Sequence, residues 1–394
     1  MTTTGRVVPL AEAGPDCGGK AAALAVLLRA GLPVPDGFVV TGPSADEAAV
    51  TAALARLGPG PYAVRSSGLG EDGAAASFAG QLETVLGVRG SDEVLAAIRR
   101  CAASGDAPRA RAYRARLGLG DRMTVPVLVQ ELVAADRAGV LFTRDPRDGG
   151  DRIVINAAWG LGESVVSGAV VPDEITVWRE GGARVAFGDK RTRLDPGPDG
   201  PIRSDVPEPD RFHACLDLGE ILPLAALGWR CEELFGRPQD VEWAVRDGRF
   251  WLLQSRPITT PPVSATGSAP DAGLPAAPER PDLESLLVVG VASSPGQARG
   301  PARLVRSVDE FSRVRPGDVL VCRTTDPAWT PLFRLAAAVV TETGGLLSHA
   351  AIVAREFRIP AVVGAAGALS RLIDGAYVVV DGALGTVTLT TSPS

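Results

Sequence analysis

The chain is poor in the residues that most often carry chemistry. Among its 394 residues two are histidine, and of 40 basic residues only Lys20 and Lys190 are lysine, the rest being arginine. Its five cysteines (Cys17, Cys101, Cys215, Cys231, Cys322) form no CxxC pair and are odd in number, which excludes a zinc-ligand spacing and a disulfide frame. They read as reduced core residues of a cytoplasmic protein. No apolar run approaches a spanning helix, and Met1 to Leu10 lacks the apolar stretch of a signal sequence. Excess positive charge is missing too: a net charge of -6 argues against nucleic-acid and anionic-membrane partners. What is present, 45% hydrophobic and 22% charged residues, is the composition of a globular protein with room for two or three cores. So strong an arginine bias suggests that a surviving lysine needs a compact ammonium, although chance survival leaves the same pattern.

Against this scarcity one histidine stands out. In Thr341-Glu342-Thr343-Gly344-Gly345-Leu346-Leu347-Ser348-His349 an apolar strand, Ala336 to Val340, passes through a Gly-Gly turn into a helix that ends near Ile359-Pro360. A helix N-terminus offers unpaired N–H groups and the positive end of the dipole, a suitable place for a phosphoryl group. A capping or packed core histidine satisfies the same local pattern. His213 lies in the stretch Phe212 to Phe235, apolar at helical spacing, and is expected to be a packed helical residue without chemistry.

The predicted organisation is two parts and a tether: residues 1–258, a Pro/Ala-rich linker over 259–285, and 286–394. The text from Thr259 to Pro281 has no apolar periodicity, and its about 23 residues, if flexible, average roughly 25–30 Å end to end. A passive spacer would read identically. Ahead of it, a helix is expected over Ala21 to Ala30, and strands over Tyr62–Val64, Val125–Val129, Val140–Phe142 and Ile153–Ile155. Val241–Val245 and Phe250–Leu253 flank an Asp-Gly turn and predict a hairpin. Its arms carry Glu242 and Gln254, whose oxygens suit one Mg2+. Cys17-Gly18-Gly19-Lys20 resembles half of a phosphate loop but lacks the spacing and the Ser/Thr of a Walker motif, Arg65-Ser66-Ser67-Gly68 suits phosphate oxygens, and Ser77-Phe78-Ala79-Gly80-Gln81 before Thr84 could offer backbone N–H groups. Each of these alone also fits a structural role.

In order along the chain, however, they resemble one family. Gly19-Lys20, Val64-Arg65-Ser66-Ser67, Ser77-Phe78-Ala79-Gly80-Gln81, Val129-Gln130, Trp159-Gly160-Leu161-Gly162-Glu163, Val241-Glu242-Trp243 and Leu253-Gln254-Ser255-Arg256-Pro257 resemble the ATP-grasp domain of phosphoenolpyruvate synthase, pyruvate phosphate dikinase and rifamycin phosphotransferase. The segment from Gly290 to Leu389, with Gly344-Gly345 and Ser348-His349, resembles their phosphohistidine swivelling domain. The resemblance implies an α/β fold: an ATP-grasp domain of two subdomains followed by a small β/β/α swivelling domain. It implies that His349 takes the β-phosphate of ATP, giving AMP and phosphate. Lys20, Arg65, Gly80, Thr84, Gln130, Glu242, Gln254 and Arg256 would bind ATP, with Glu242 and Gln254 also holding Mg2+; Lys190 falls in a shared segment without an assigned contact.

This sequence departs from those relatives, in part by a short stretch between Val40 and Ala63. After the histidine segment it has no pyruvate-binding barrel, and only the linker stands where rifamycin phosphotransferase has a drug-binding domain. Three readings follow. The chain is a dikinase-type phosphotransferase whose small-molecule acceptor binds between the domains, a phosphate-loading subunit serving a separate acceptor protein, or a non-catalytic nucleotide-binding regulator.

Overall fold

The computed structural model describes residues 5–42, 46–68, 72–73, 76–77, 83–106, 125–198, 200–258, 286–346 and 348–390. The expected linker over 259–285, and Gly80, lie outside them. In chain order the first sheet and its helices are β1 (Arg6–Pro9), α1 (Gly19–Arg29), β2 (Gly37–Thr41), α2 (Glu47–Leu57), β3 (Tyr62–Ser66), β4 (Thr84–Val88), α3 (Gly90–Ala103) and β5 (Val127–Glu131). The strands pair antiparallel in the order β1-β2-β5-β3-β4. One face, through Phe38, Val40, Val64, Val127 and Val129, buries α2 and α3. The other turns Val39 and Leu128 toward Leu24 and Ala25 of α1. Because Arg65 pairs with both Thr84 and Leu128, and Leu128 is two residues from Gln130, all four point from this second face.

The second sheet comprises β6 (Arg137–Phe142), β7 (Arg152–Trp159), β8 (Asp173–Trp178), β9 (Ala183–Ala186), β10 (Gln239–Arg246) and β11 (Arg249–Pro257), in the antiparallel order β9-β8-β7-β6-β10-β11. Leu141, Ile153, Ile155, Val241 and Trp243 point to one side and pack on Ile221, Leu224 and Ala225 of α4 (Leu218–Phe235). Since successive strand residues alternate faces, Val140, Phe142, Val154, Asn156, Asp240 and Glu242 occupy the other side, and a β-bulge that leaves Leu253 unpaired brings Gln254 and Arg256 onto it as well. The predicted hairpin is present: Arg246 pairs with Arg249, and Asp247 and Gly248 both have positive φ (51° and 74°), as a two-residue primed turn requires.

The helix expected over Phe212 to Phe235 is shorter, and His213 is exposed in a bend ahead of it rather than packed within it. The reason is a capping box. Asp217 accepts from Glu220 N at 2.9 Å while Glu220 accepts from Asp217 N at 3.1 Å, so the helix starts at Leu218 whatever the apolar spacing upstream.

The third sheet holds β12 (Leu286–Val289), β13 (Val291–Ser294), β14 (Gln297–Leu304), β15 (Val319–Cys322), β16 (Ala338–Thr341), β17 (Ala361–Val363), β18 (Tyr377–Asp381) and β19 (Thr386–Leu389), ordered β12-β19-β18-β14-β15-β16-β17-β13. Strands β14 to β17 run parallel. The crossover between β16 and β17 contains α5 (His349–Phe357), with Ala350, Ala351, Val353 and Ala354 buried on the sheet. His349 is thus the first residue of a helix that leaves the carboxyl end of a parallel strand, where open α/β sheets bind ligands. No helix among the described residues is long and apolar enough to cross a membrane.

Candidate active site

The N-terminus of α1 and the end of β3 are built as one unit. Gly18, at φ 85°, lies so close to Ser67 that a Cβ would sit 1.8 Å from its carbonyl oxygen. Gly19 N donates to Gly68 O at 3.2 Å, Ala21 N to Ser67 Oγ at 3.1 Å, and Lys20 Nζ to Ser66 O at 3.3 Å. The next strand residue inward, Arg65, bridges the two sheets: its Nη1 donates to Leu253 O at 3.2 Å and lies 3.5 Å from Glu242 Oε2. Arg65 Nε is buried with no hydrogen-bond partner among the described residues, an orphan donor suited to an anionic oxygen.

Glu242 and Gln254 are direct cross-strand partners, and the neighbouring pair is Asp240 and Arg256, joined by Arg256 Nε to Asp240 Oδ2 at 2.8 Å. Burial raises the Asp240 carboxyl above the usual range, with Arg256 opposing. The structure therefore brings Lys20, Arg65, Glu242, Gln254 and Arg256 to one junction between the first two sheets. Thr84 shares the Arg65 face and is exposed. Gln130 also shares it but is buried, its amide donating to Pro35 O at 3.1 Å. No group of three or more His, Cys, Asp or Glu suited to a metal occurs among the described residues. One carboxylate and one amide oxygen on adjacent strands nevertheless match Mg2+, which completes its shell with water and phosphate oxygens.

His349 is enclosed by residues that the sequence did not single out. Nδ1 lies 2.9 Å from Thr325 Oγ1, Nε2 lies 3.3 Å from Thr330 Oγ1, and Phe333 meets the ring edge-on at 6.0 Å between centroids. Ser348 caps α5, accepting from Ala351 N at 3.4 Å. Burial pushes the imidazole down to about 4, only partly offset by Asp326, so the ring is neutral and nucleophilic at neutral pH.

The loop carrying this ring rests on the second sheet. Leu346 is fully buried in one apolar cluster with Val140, Phe142 and Val154. Gly345 lies against Pro172 and Asn156, and a Cβ at Gly168 (φ 70°) would sit 2.7 Å from Ser348 Cβ. Val140 is the cross-strand neighbour of Glu242 on one side and of Asn156 on the other. The histidine loop and the Glu242–Gln254 pair thus occupy one face of one sheet, on adjoining strands.

Lys190 lies in the core. Its fully buried ammonium pairs with Asp173 Oδ1 at 2.5 Å, and that carboxylate also accepts from Gly188 N and Cys215 N, both at 2.8 Å. It ties the segment after β9 to β8 and to the approach to α4.

Two outcomes are expected. Lys190→Met leaves Asp173 buried without its cation and costs about 3–5 kcal/mol in chemical denaturation, with ATP affinity of the folded protein retained. A selective loss of affinity at unchanged stability would contradict the structural role. For His349, the folded protein binds fewer protons than the unfolded chain between pH 6.5 and about 4, so its contribution to stability falls as pH drops through that window. Nuclear magnetic resonance of the labelled imidazole should give a midpoint near 4, and His349→Gln should flatten the pH dependence of stability there. A midpoint at the ordinary value would contradict the enclosure.

Known proteins place this arrangement. The pyruvate phosphate dikinase AMP/ATP-binding domain matches residues 43–272, and the PEP-utilising enzyme mobile domain matches residues 314–385. A probable phosphoenolpyruvate synthase of Methanothermobacter thermautotrophicus is 36% identical over 428 residues, covering 94% of this chain and 61% of that protein. The phosphoenolpyruvate synthase of Pyrococcus furiosus is 40% identical over 340 residues, covering 82% of this chain and 40% of that protein. That of Escherichia coli K12 is 39% identical over 346 residues, covering 82% and 42% respectively. The chain thus spans between 40% and 61% of the length of these relatives. Its architecture is an ATP-grasp domain of two subdomains followed by a PEP-utilising enzyme mobile domain. With more than half of its length matched by the nucleotide-binding domain and the mobile domain following in order, the chain belongs to the phosphoenolpyruvate synthase and pyruvate phosphate dikinase family.

Proposed function

We propose that the chain is an ATP-dependent phosphotransferase of the dikinase type, in which the 1–258 unit binds the nucleotide and the 286–394 unit carries the phosphoryl group on His349. The observation that supports this reading most directly is the shared sheet face: the loop of His349 lies on β6 and β7 beside Glu242 on β10. Lys20, Arg65 and Arg256 hold the ATP phosphates, and the orphan Arg65 Nε gains its acceptor from one of them. Thr84 and Gly80 belong to the cover over the phosphates, and Gln130 borders the adenine side. Glu242 and Gln254 would hold a Mg2+ whose charge neutralises the phosphate oxygens during transfer.

With Nδ1–H donating to Thr325 Oγ1, Nε2 keeps its lone pair, and its longer contact to Thr330 is the one released on reaction. Nε2 attacks the β-phosphorus of ATP, an N–P bond forms, the bond from that phosphorus to the α,β-bridging oxygen breaks, and AMP leaves. Water then attacks the γ-phosphorus of the pyrophosphoryl group left on His349, the bond from that phosphorus to the β,γ-bridging oxygen breaks, and inorganic phosphate leaves with phospho-His349 behind. Phospho-His349 then serves a small-molecule acceptor between the two units, and the names of the relatives make pyruvate the first candidate to try.

Incubation of the pure protein with MgATP should yield AMP, phosphate and an acid-labile phosphoprotein, and His349→Ala should yield no label. Glu242→Ala should retain the fold and lower labelling by about 10²–10³-fold, the usual cost of losing one element of charge stabilisation. Equal labelling of wild type and His349→Ala refutes the carrier role.

A further inference from the structure

Phosphoryl transfer makes no direct use of Leu346 or Arg355, yet both are placed with care. Leu346, three residues before His349, is 0% exposed although it sits in a turn between glycines and a helix. Its apolar partners Val140, Phe142 and Val154 belong to the second sheet and Ile258 directly follows β11; among the described residues of this cluster Val291 alone comes from the third. Arg355, on α5 six residues beyond His349, donates Nη2 to Leu346 O at 2.8 Å and Nη1 to Ser293 O at 3.0 Å. The first bond holds the backbone of the turn that presents Leu346, and the second anchors the guanidinium to β13. The carboxylates acting most strongly on Arg355 are Asp240 and Asp145, both from the second-sheet unit. Around the leucine, the 168–172 segment closes against Ser348, Gly345 and Gly364, with Val171 Cγ1 3.5 Å from a Cβ built on Gly364.

We propose that Leu346 is a detachable docking plug, set in place by Arg355, that seats the His349 loop in the Val140–Phe142–Val154 socket of the nucleotide-binding unit and thereby positions His349 for loading. The kinetic part of this inference rests on the carrier reading above; the docking part does not.

Each component of the contact survives separation. Arg355 keeps its bonds to Ser293 and Leu346, which are internal to its own unit. Asp240 keeps Arg256, its partner within its own hairpin. No buried charge is stranded when the two surfaces part, unlike Lys190 and Asp173, whose loss of contact would leave an ion in the core. The apolar part is small, Leu346 with Val291 and a glycine-lined edge, so engagement and release cost little compared with a permanent interface. Leu346 and Arg355 are positioning residues, because neither touches the reacting atoms.

The test uses the full chain with Leu346→Asp and Leu346→Met, read by small-angle scattering, ATP binding and the rate of acid-labile labelling. Leu346→Asp should enlarge the radius of gyration, leave ATP affinity unchanged and slow labelling by roughly 10²-fold, the effect of a small misplacement of reacting groups. Leu346→Met should behave as wild type in all three. Wild-type compactness and labelling in Leu346→Asp overturn the proposal, and so does loss of ATP binding in both variants, which would make the position a support of the fold. If the wild type takes no label, the carrier reading falls and docking is judged by scattering alone. Expansion in Leu346→Asp but not in Leu346→Met then sustains the plug, and identical profiles refute it.

Discussion

The functional geometry depends on strand register in the second sheet. Cross-strand pairing sets Gln254, Glu242, Val140, Asn156 and Glu174 in one row across five strands, and Arg256, Asp240, Phe142 and Val154 in the next. A slip of one residue in β10 would send Glu242 into the α4 core and bring Trp243, now fully buried there, to the site. The same rows provide the charges at the nucleotide end and the apolar socket for Leu346. One alternation therefore fixes where the phosphates are held and where the histidine loop rests.

Around His349 the protein favours neutrality over charge. The ring is hydrogen-bonded on both nitrogens by hydroxyls, which accept or donate as the tautomer needs, and Asp326, a carboxylate acting on it, is too weak an influence to reverse the effect of burial. Arginine supplies most of the positive charge on the other side. Arg65 links the sheets through Glu242 and Leu253, whereas Arg256 stays within its hairpin on Asp240. Lys20 is set by a helix start that only glycine at position 18 permits.

Much of this was legible in the chain before its structure. The Asp-Gly turn specified the β10–β11 hairpin, but its register alone would set Gln254 opposite Val241; the β-bulge between Glu242 and Trp243 that turns Gln254 to face Glu242 leaves no mark in the residue pattern. The Gly-Gly-to-helix pattern correctly located His349 at the first position of α5. His213 was misplaced because apolar spacing continues past the true helix start, while the Asp217–Glu220 capping box that ends it is a local polar signal of equal strength. The facing of β7 was not readable, since Arg152–Trp159 is apolar on both sides and both sides are covered. Thr325, Thr330 and Arg355 act only through tertiary contact, and a leucine plug such as Leu346 is indistinguishable in sequence from any core residue. Lys190 was singled out by its rarity; the need it meets is a buried countercharge for Asp173.

The central claim is that a neutral imidazole on the shared sheet face accepts the middle phosphate of a bound nucleotide. Parallel incubations with ATP radiolabelled at the β or at the γ position, followed by peptide mapping under alkaline conditions, test it most directly. The account predicts β-label retained on the peptide containing His349 and γ-label recovered as inorganic phosphate. Retention of γ-label with ADP as the nucleotide product, or label on any other residue, would contradict it.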